Sequence, residues 1–201
     1  ADYQIKNTGD GVESQLDMIK KLEINYANQS TLKDFATKIG IEFLSAAFDL
    51  ESIEFLSGLN LSRLKIPSGE ITNAPYLLAA SKTKIPLILS TGMASLEEIK
   101  LALGVISFGL FYENEIPTKD SFTSAYEEVK SKDLLKGKVS ILHCTTEYPC
   151  PFNEVNLNVL STLKEVLDLE VGYSDHTLGI EVPISAVAIG ATIIEKHFTL
   201  D

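Results

Sequence analysis

Short runs of Ile, Leu and Val alternate along the chain with longer segments whose apolar residues recur at helical spacing. The short runs, EFLSAAF (42–48), RLKIPS (63–68), PLILST (86–91), VSILHCT (139–145), LEVGYS (169–174) and ATIIEKHF (191–198), read as buried strands. Helix starts stand between them: Asp49 before LESIEFL, Asn73 before APYLLAAS with Pro75 in the first turn, and Ser95 with Glu98 three residues on as a capping box. Further helices are predicted over 155–167 and 179–190. Two more, over 13–22 and 31–39, precede the first strand, the second stopped by Gly40.

Strands alternating with helices leave two architectures, a doubly wound open sheet or a (β/α)8 barrel. No GxGxxG follows any strand, which removes the main argument for a dinucleotide fold. The unusual polar residues fall at the C-terminal ends of the strands: Ser68 and Glu70, Ser90 and Thr91, His143 and Thr145, Ser174 and His176, Glu195 and His197. A barrel gathers its chemistry at that end. The expected fold class is therefore α/β; six strands cannot close a standard (β/α)8 barrel, so either two strands are missing from this chain or the fold is open. The acidic stretch 111–138 reads as a partly helical, solvated surface insertion.

Composition narrows the function. Among 201 residues, 17 Lys and Arg face 28 Asp and Glu, a net charge of −11 with no basic stripe, so nucleic acid is not an expected partner. No apolar run has the length of a membrane span and no signal peptide opens the chain, which gives a cytoplasmic expectation. Cys144 and Cys150 form no CxxC and read as buried, unreactive thiols.

Candidate chemistry lies in the strand ends. A lone histidine is most often a satisfied core residue, but His176 and His197 end neighbouring strands with Asp175 and Glu195 beside them. Two neutral imidazoles at one mouth suit a divalent metal and leave positions for water and substrate. Lys65 lies within a strand, where burial without an anion is costly unless its stem snorkels outward. With Ser68 and Gly69 after it, Lys65 would suit a phosphate or carboxylate, and Glu70 is a candidate acid or base. Ser90, Thr91 and the capped helix start behind them add hydroxyls and a dipole favourable to anions. His143 is as consistent with packing as with catalysis. Tyr148 could line a polar pocket or merely pack.

The ordered motifs KIPSGE, LSTGM, HCTTEYP, GYSDHT and EKHFTLD closely resemble the sialic acid (N-acetylneuraminate) synthase family, which includes legionaminic and pseudaminic acid synthases. The resemblance implies a TIM barrel that condenses phosphoenolpyruvate with N-acetylmannosamine or a related amino sugar, releasing phosphate. It also implies a divalent cofactor, Mn2+ or Mg2+, held by His176 and His197. Lys65, Ser68, Ser90 and Ser174 match phosphoenolpyruvate-binding positions, Tyr148 and Glu195 match sugar-contacting positions, and Glu70 matches a carboxylate implicated in water addition. The family's opening strands, its AEIGxNHNG-like and KFQT-like motifs and its C-terminal antifreeze-like domain have no counterpart here. By the resemblance the chain therefore corresponds, over 1–201, to a TIM (β/α)8 barrel present as a partial barrel of about six βα units, strands 3 to 8, expected to be inactive alone and a homodimer when full length. Ala46 and Thr146 stand where members carry a hydroxyl and an asparagine. The competing readings are a non-catalytic barrel of polysaccharide or coat biosynthesis and another phosphoenolpyruvate-dependent sugar synthase. The latter would need extra basic residues for a second phosphate.

Overall fold

The computed structural model describes residues 20–21, 23–112, 114–198 and 200, in two units, 1–43 and 44–201. In the first, α1 (Tyr26–Ile39) starts where the Asn25 side chain accepts from the Asn28 amide at 2.8 Å, and ends at Gly40 with φ 75°. Gly40 closes the helix in the left-handed conformation expected of it, but α1 begins earlier than the predicted 31–39. Most of the predicted helix 13–22 lies outside the described residues; 20 and 21 are helical.

The second unit is a curled, five-stranded, all-parallel sheet in the order β1 (Leu64–Ile66), β2 (Leu87–Ser90), β3 (Val139–Cys144), β4 (Glu170–Asp175), β5 (Ile194–Lys196). Its helices are α2 (Leu50–Ser57), α3 (Ala74–Lys82), α4 (Leu96–Phe111), α5 (Lys119–Ser131), α6 (Asn158–Leu167) and α7 (Glu181–Ala188). Strand order equals chain order, so every right-handed crossover steps the same way and puts its helix on the same side of the sheet. A doubly wound sheet reverses direction, whereas a half-barrel does not.

Five strands form among the described residues, not six. Of the predicted strand 42–48, only Ala46 makes a parallel bridge, to Lys65, and the Lys65 amide donates to Ser45 O at 3.4 Å. Ala47 is the one member of that segment in the buried core, too little to extend a single bridge into a strand. The predicted caps do form. Asp49 accepts from Ser52 N at 2.6 Å, Asn73 from Tyr76 N at 3.3 Å, and Ser95 and Glu98 make the reciprocal box at 3.3 and 2.7 Å.

The stretch 111–138 is partly helical but is more than a solvated decoration. Ala125, Tyr126 and Val129 of α5 and the following Leu135 are buried, and Phe122 meets Phe108 of α4 edge to face at 5.3 Å. The 3.6-residue spacing of these apolar positions makes α5 amphipathic, and its apolar stripe extends the core over α4. No helix among the described residues is long and apolar enough to cross a membrane.

Candidate active site

Register sorts the strand residues into two faces, because side chains alternate along a strand. Leu64, Ile66, Leu87, Leu89, Val139, Ile141, Val171 and Tyr173 share one face and are almost wholly buried. Lys65, Ile88, Ser90, Ser140, Leu142, Cys144, Gly172, Ser174 and Glu195 share the other. The apolar face makes the core with the helices. The second face carries the hydroxyls, a cation and a carboxylate toward the C-terminal strand ends.

There a continuous polar chain crosses the sheet. Lys65 on β1 donates to Glu195 Oε2 on β5 at 2.5 Å, and Ser174 on β4 donates to Glu195 Oε1 at 2.6 Å. Ser174 Oγ also lies 3.3 Å from His176 Nε2, and His176 Nδ1–H donates to the Thr145 carbonyl. Lys65 is 130 residues from Glu195 in sequence, so only the curl of the sheet joins them. Its side chain is 15% exposed, and the carboxylate is what makes that burial tolerable, in place of snorkelling. Burial pushes the Glu195 carboxyl up. Lys65, by charge and hydrogen bond, together with the Ser174 hydroxyl and His176, outweighs burial and holds the carboxyl below the ordinary glutamate value.

His176 and His197 follow the last residues of β4 and β5, with ring centres 6.0 Å apart, and Tyr148 stacks on His176 at 3.8 Å. Burial lowers the His176 pKa and His197 adds to the effect, so the ring favours its neutral form although the Thr145 carbonyl opposes this. With Nδ1 carrying the proton, Nε2 holds a lone pair. The one Ser174 hydroxyl proton is already committed to Glu195, so that lone pair has no donor from Ser174. Among the described residues no third His, Cys, Asp or Glu joins these two in a group able to hold a metal.

Ser68 is placed by a short 3-10 turn, Ser68–Glu70, directly after β1. Its hydroxyl accepts from the Gly92 amide at 3.0 Å and lies 3.2 Å from Cys144 Sγ. A Cβ on Gly92 would come 2.8 Å from Thr146 Cγ2 and 3.0 Å from Ser68 Oγ, so glycine is what lets these loops meet. Ser90 ends β2 with a buried hydroxyl that has no hydrogen-bond partner among the described residues. An unpaired buried hydroxyl costs stability, and a bound ligand would satisfy it.

Two candidates stand apart. The Glu70 carboxylate accepts from Asn73, the cap of α3, at 2.7 Å, which turns it to its own helix start and not to the Lys65–Glu195–Ser174 chain. His143 lies on the apolar face, with Nε2 3.0 Å from the Val155 carbonyl, and burial lowers its pKa. That is a packing role. Both cysteines are free and buried, and burial raises the Cys150 thiol pKa, as expected of an unreactive group. Asp175, next to His176, faces away from the Ser174–Glu195 side of the sheet. It points to the apolar side and pairs with Lys196, a residue that sequence reasoning passed over although strand alternation places the two together.

A parallel α/β half-barrel with its polar groups at the C-terminal strand ends places the chain in the barrel class of folds. The comparisons narrow this: the NeuB family model matches residues 1–201, and the chain belongs to that family. It is 47% identical over its whole length to N,N'-diacetyllegionaminic acid synthase of Campylobacter jejuni, covering 53% of that protein. The synthase of the same name from Legionella pneumophila is 43% identical, again over the whole chain and covering 50% of the relative. Among solved structures, N-acetylneuraminic acid synthetase from Leptospira borgpetersenii superposes with a TM-score of 0.73 at 34% identity, over 90% of this chain and 55% of that one. The chain thus spans about half the length of the relatives it matches.

Proposed function

We propose that the intact protein joins phosphoenolpyruvate to the open-chain aldehyde of an N-acetylated amino sugar, N-acetylmannosamine or a diacetylated relative, to make a nonulosonate and release phosphate. The observation that carries this reading is the Lys65–Glu195–Ser174–His176 chain across the sheet, with His197 beside it. It puts a cation, hydroxyls, a carboxylate and two imidazoles at one strand end, as an anionic enol and a polyhydroxylated partner require.

Lys65 has three donor hydrogens and lends one to Glu195, so the other two can bind the carboxylate or phosphate of phosphoenolpyruvate. Ser68 and Ser90 supply hydroxyls for the same anion, and Ser174 joins them when its proton turns from Glu195 to the ligand. Glu195, freed in part as Lys65 turns to the ligand, accepts from sugar hydroxyls, and Tyr148 offers a flat face to the sugar. C3 of the enol forms the new bond to the aldehyde carbon, whose oxygen takes a proton. Water then adds at C2, and collapse of that centre breaks the C2–O bond and expels phosphate. Glu70 remains the candidate to handle the proton of this water, which requires it to leave Asn73.

A divalent ion fits the donor set. One ion about 2.0–2.2 Å from a nitrogen of each ring would set the ring centres within roughly 6.5 Å, and the unfilled Nε2 lone pair of His176 is a ready donor. Bound by His176 and His197, Mn2+ or Mg2+ would supply Lewis-acid polarisation of the sugar carbonyl.

The test is phosphate release by the intact protein with Mn2+, phosphoenolpyruvate labelled with heavy oxygen at the C2–O bridge, and each sugar in turn. Sugar-dependent release carrying the label into phosphate, with a nonulosonate mass for the product, is the expected result. Release independent of any sugar sinks the reading in favour of a hydrolase, and none at all sinks it in favour of a barrel without turnover.

A further inference from the structure

Behind the site, on the apolar side of the sheet, the ends of β4 and β5 are fastened by a network that the chemistry above leaves unused. Lys196 donates to Asp175 Oδ2 at 2.5 Å and to the Thr177 carbonyl at 2.8 Å. Asp175, 0% exposed, uses its other oxygen to accept from the Thr177 amide at 3.0 Å and the Thr177 hydroxyl at 2.8 Å. Both residues flanking His176 are therefore tied to Lys196, and Lys196 is itself the residue before His197. The His176 carbonyl accepts from Cys150 N at 2.8 Å, fixing the same turn from a third direction.

The need for such a tie follows from β5. It has three residues, its register with β4 ends at the Asp175–Lys196 pair, and past that point His197 and Phe198 are exposed. Ladder hydrogen bonds alone therefore do little to fix how far His197 stands from His176. A buried ion pair is weak evidence for stability, because desolvating both charges offsets most of their attraction. Its geometric demand is strict all the same, since the ammonium must sit where the carboxylate and the Thr177 carbonyl converge.

We propose that Asp175 and Lys196 are positioning residues, a clamp that fixes the spacing and ring orientation of His176 and His197 without touching substrate. This rests on the reading of the two histidines as metal ligands, and it adds what holds them in place. Removing groups that orient metal ligands characteristically weakens metal binding by about 10- to 100-fold.

The experiment uses the intact protein as wild type, Lys196→Met, Lys196→Arg, the double variant Asp175→Asn/Lys196→Met, and His176→Ala as control. The double variant removes both charges together, so it leaves no unpaired buried ion and keeps the test alive if Lys196→Met does not fold. Near-ultraviolet circular dichroism establishes the fold, calorimetry with Mn2+ alone gives affinity, and long-range 15N spectra give the His176 tautomer without any ion. Expected are Mn2+ affinity lower by about 10- to 100-fold in Lys196→Met and the double variant, near wild-type affinity in Lys196→Arg, and loss of the single Nδ1–H tautomer in the double variant. A folded double variant with the wild-type tautomer spectrum and wild-type Mn2+ affinity overturns the clamp. Mn2+ affinity unchanged in His176→Ala overturns the metal reading instead, while the tautomer spectra still decide the clamp.

Discussion

Glu195 sits between opposing demands. Burial favours its neutral acid, while Lys65, Ser174 and His176 favour the anion, and the anion wins. A carboxyl held below its unfolded value binds fewer protons folded than unfolded, so it stabilises the fold fully above the ordinary glutamate value of 4.5. That contribution fades as pH falls through the lower folded value. Lys65→Met removes the foremost opponent of burial, so the Glu195 carboxyl should titrate higher, by carbon-detected NMR, and the acid limb of stability should begin at higher pH. No movement of the Glu195 titration in that variant would show that Lys65 is not its dominant partner. The pairing itself was hidden from local reading. Lys65 as a buried cation needing an anion was legible, but which of 28 acidic residues answered it was not.

At the scale of elements, α4 and α5 show how one glycine sets a packing distance. A Cβ on Gly104 would lie 2.5 Å from the Phe122 carbonyl of α5, a fixed backbone atom. Alanine is the better helix former by up to about 1 kcal/mol. Overpacking against a backbone atom costs about 1–3 kcal/mol, the larger figure. Gly104→Ala should therefore destabilise the protein in urea unfolding despite its propensity, and a more stable variant would mean that α5 yields freely. Elements themselves were largely readable: five of six strands appear near their expected positions, and Asp49, Asn73 and Ser95 cap as their types require. The exceptions share a cause. Segment 42–48 and helix α5 depend on what lies beside them, one joined to β1 by a single bridge and the other packed on α4.

Across the whole molecule, a net charge of −11 repels the anion proposed as substrate, so local placement of positive charge has to overcome the global field. Exchanging the pair, Lys65→Glu with Glu195→Lys, conserves net charge and the ion pair but moves the cation from β1 to β5. The thermal midpoint should stay near that of the wild type while the KM for phosphoenolpyruvate rises about 10- to 100-fold, the worth of one charged hydrogen bond. An unchanged KM would show that only the presence of a cation matters and not its strand.

By itself the sequence determined the alternation of strand and helix, the polar strand ends and the two histidines at adjacent ends, because these depend on period, caps and residue type within a few positions. The ordered motifs went further and marked the family. The tertiary structure decided which polar groups meet. Alternation sent Ser174 and Glu195 to one face and Asp175 and Lys196 to the other, the curl of the sheet brought β1 to β5, and a turn directed Glu70 to Asn73. Contacts between residues more than a hundred positions apart are fixed by strand order and register, which the global packing of the sheet selects.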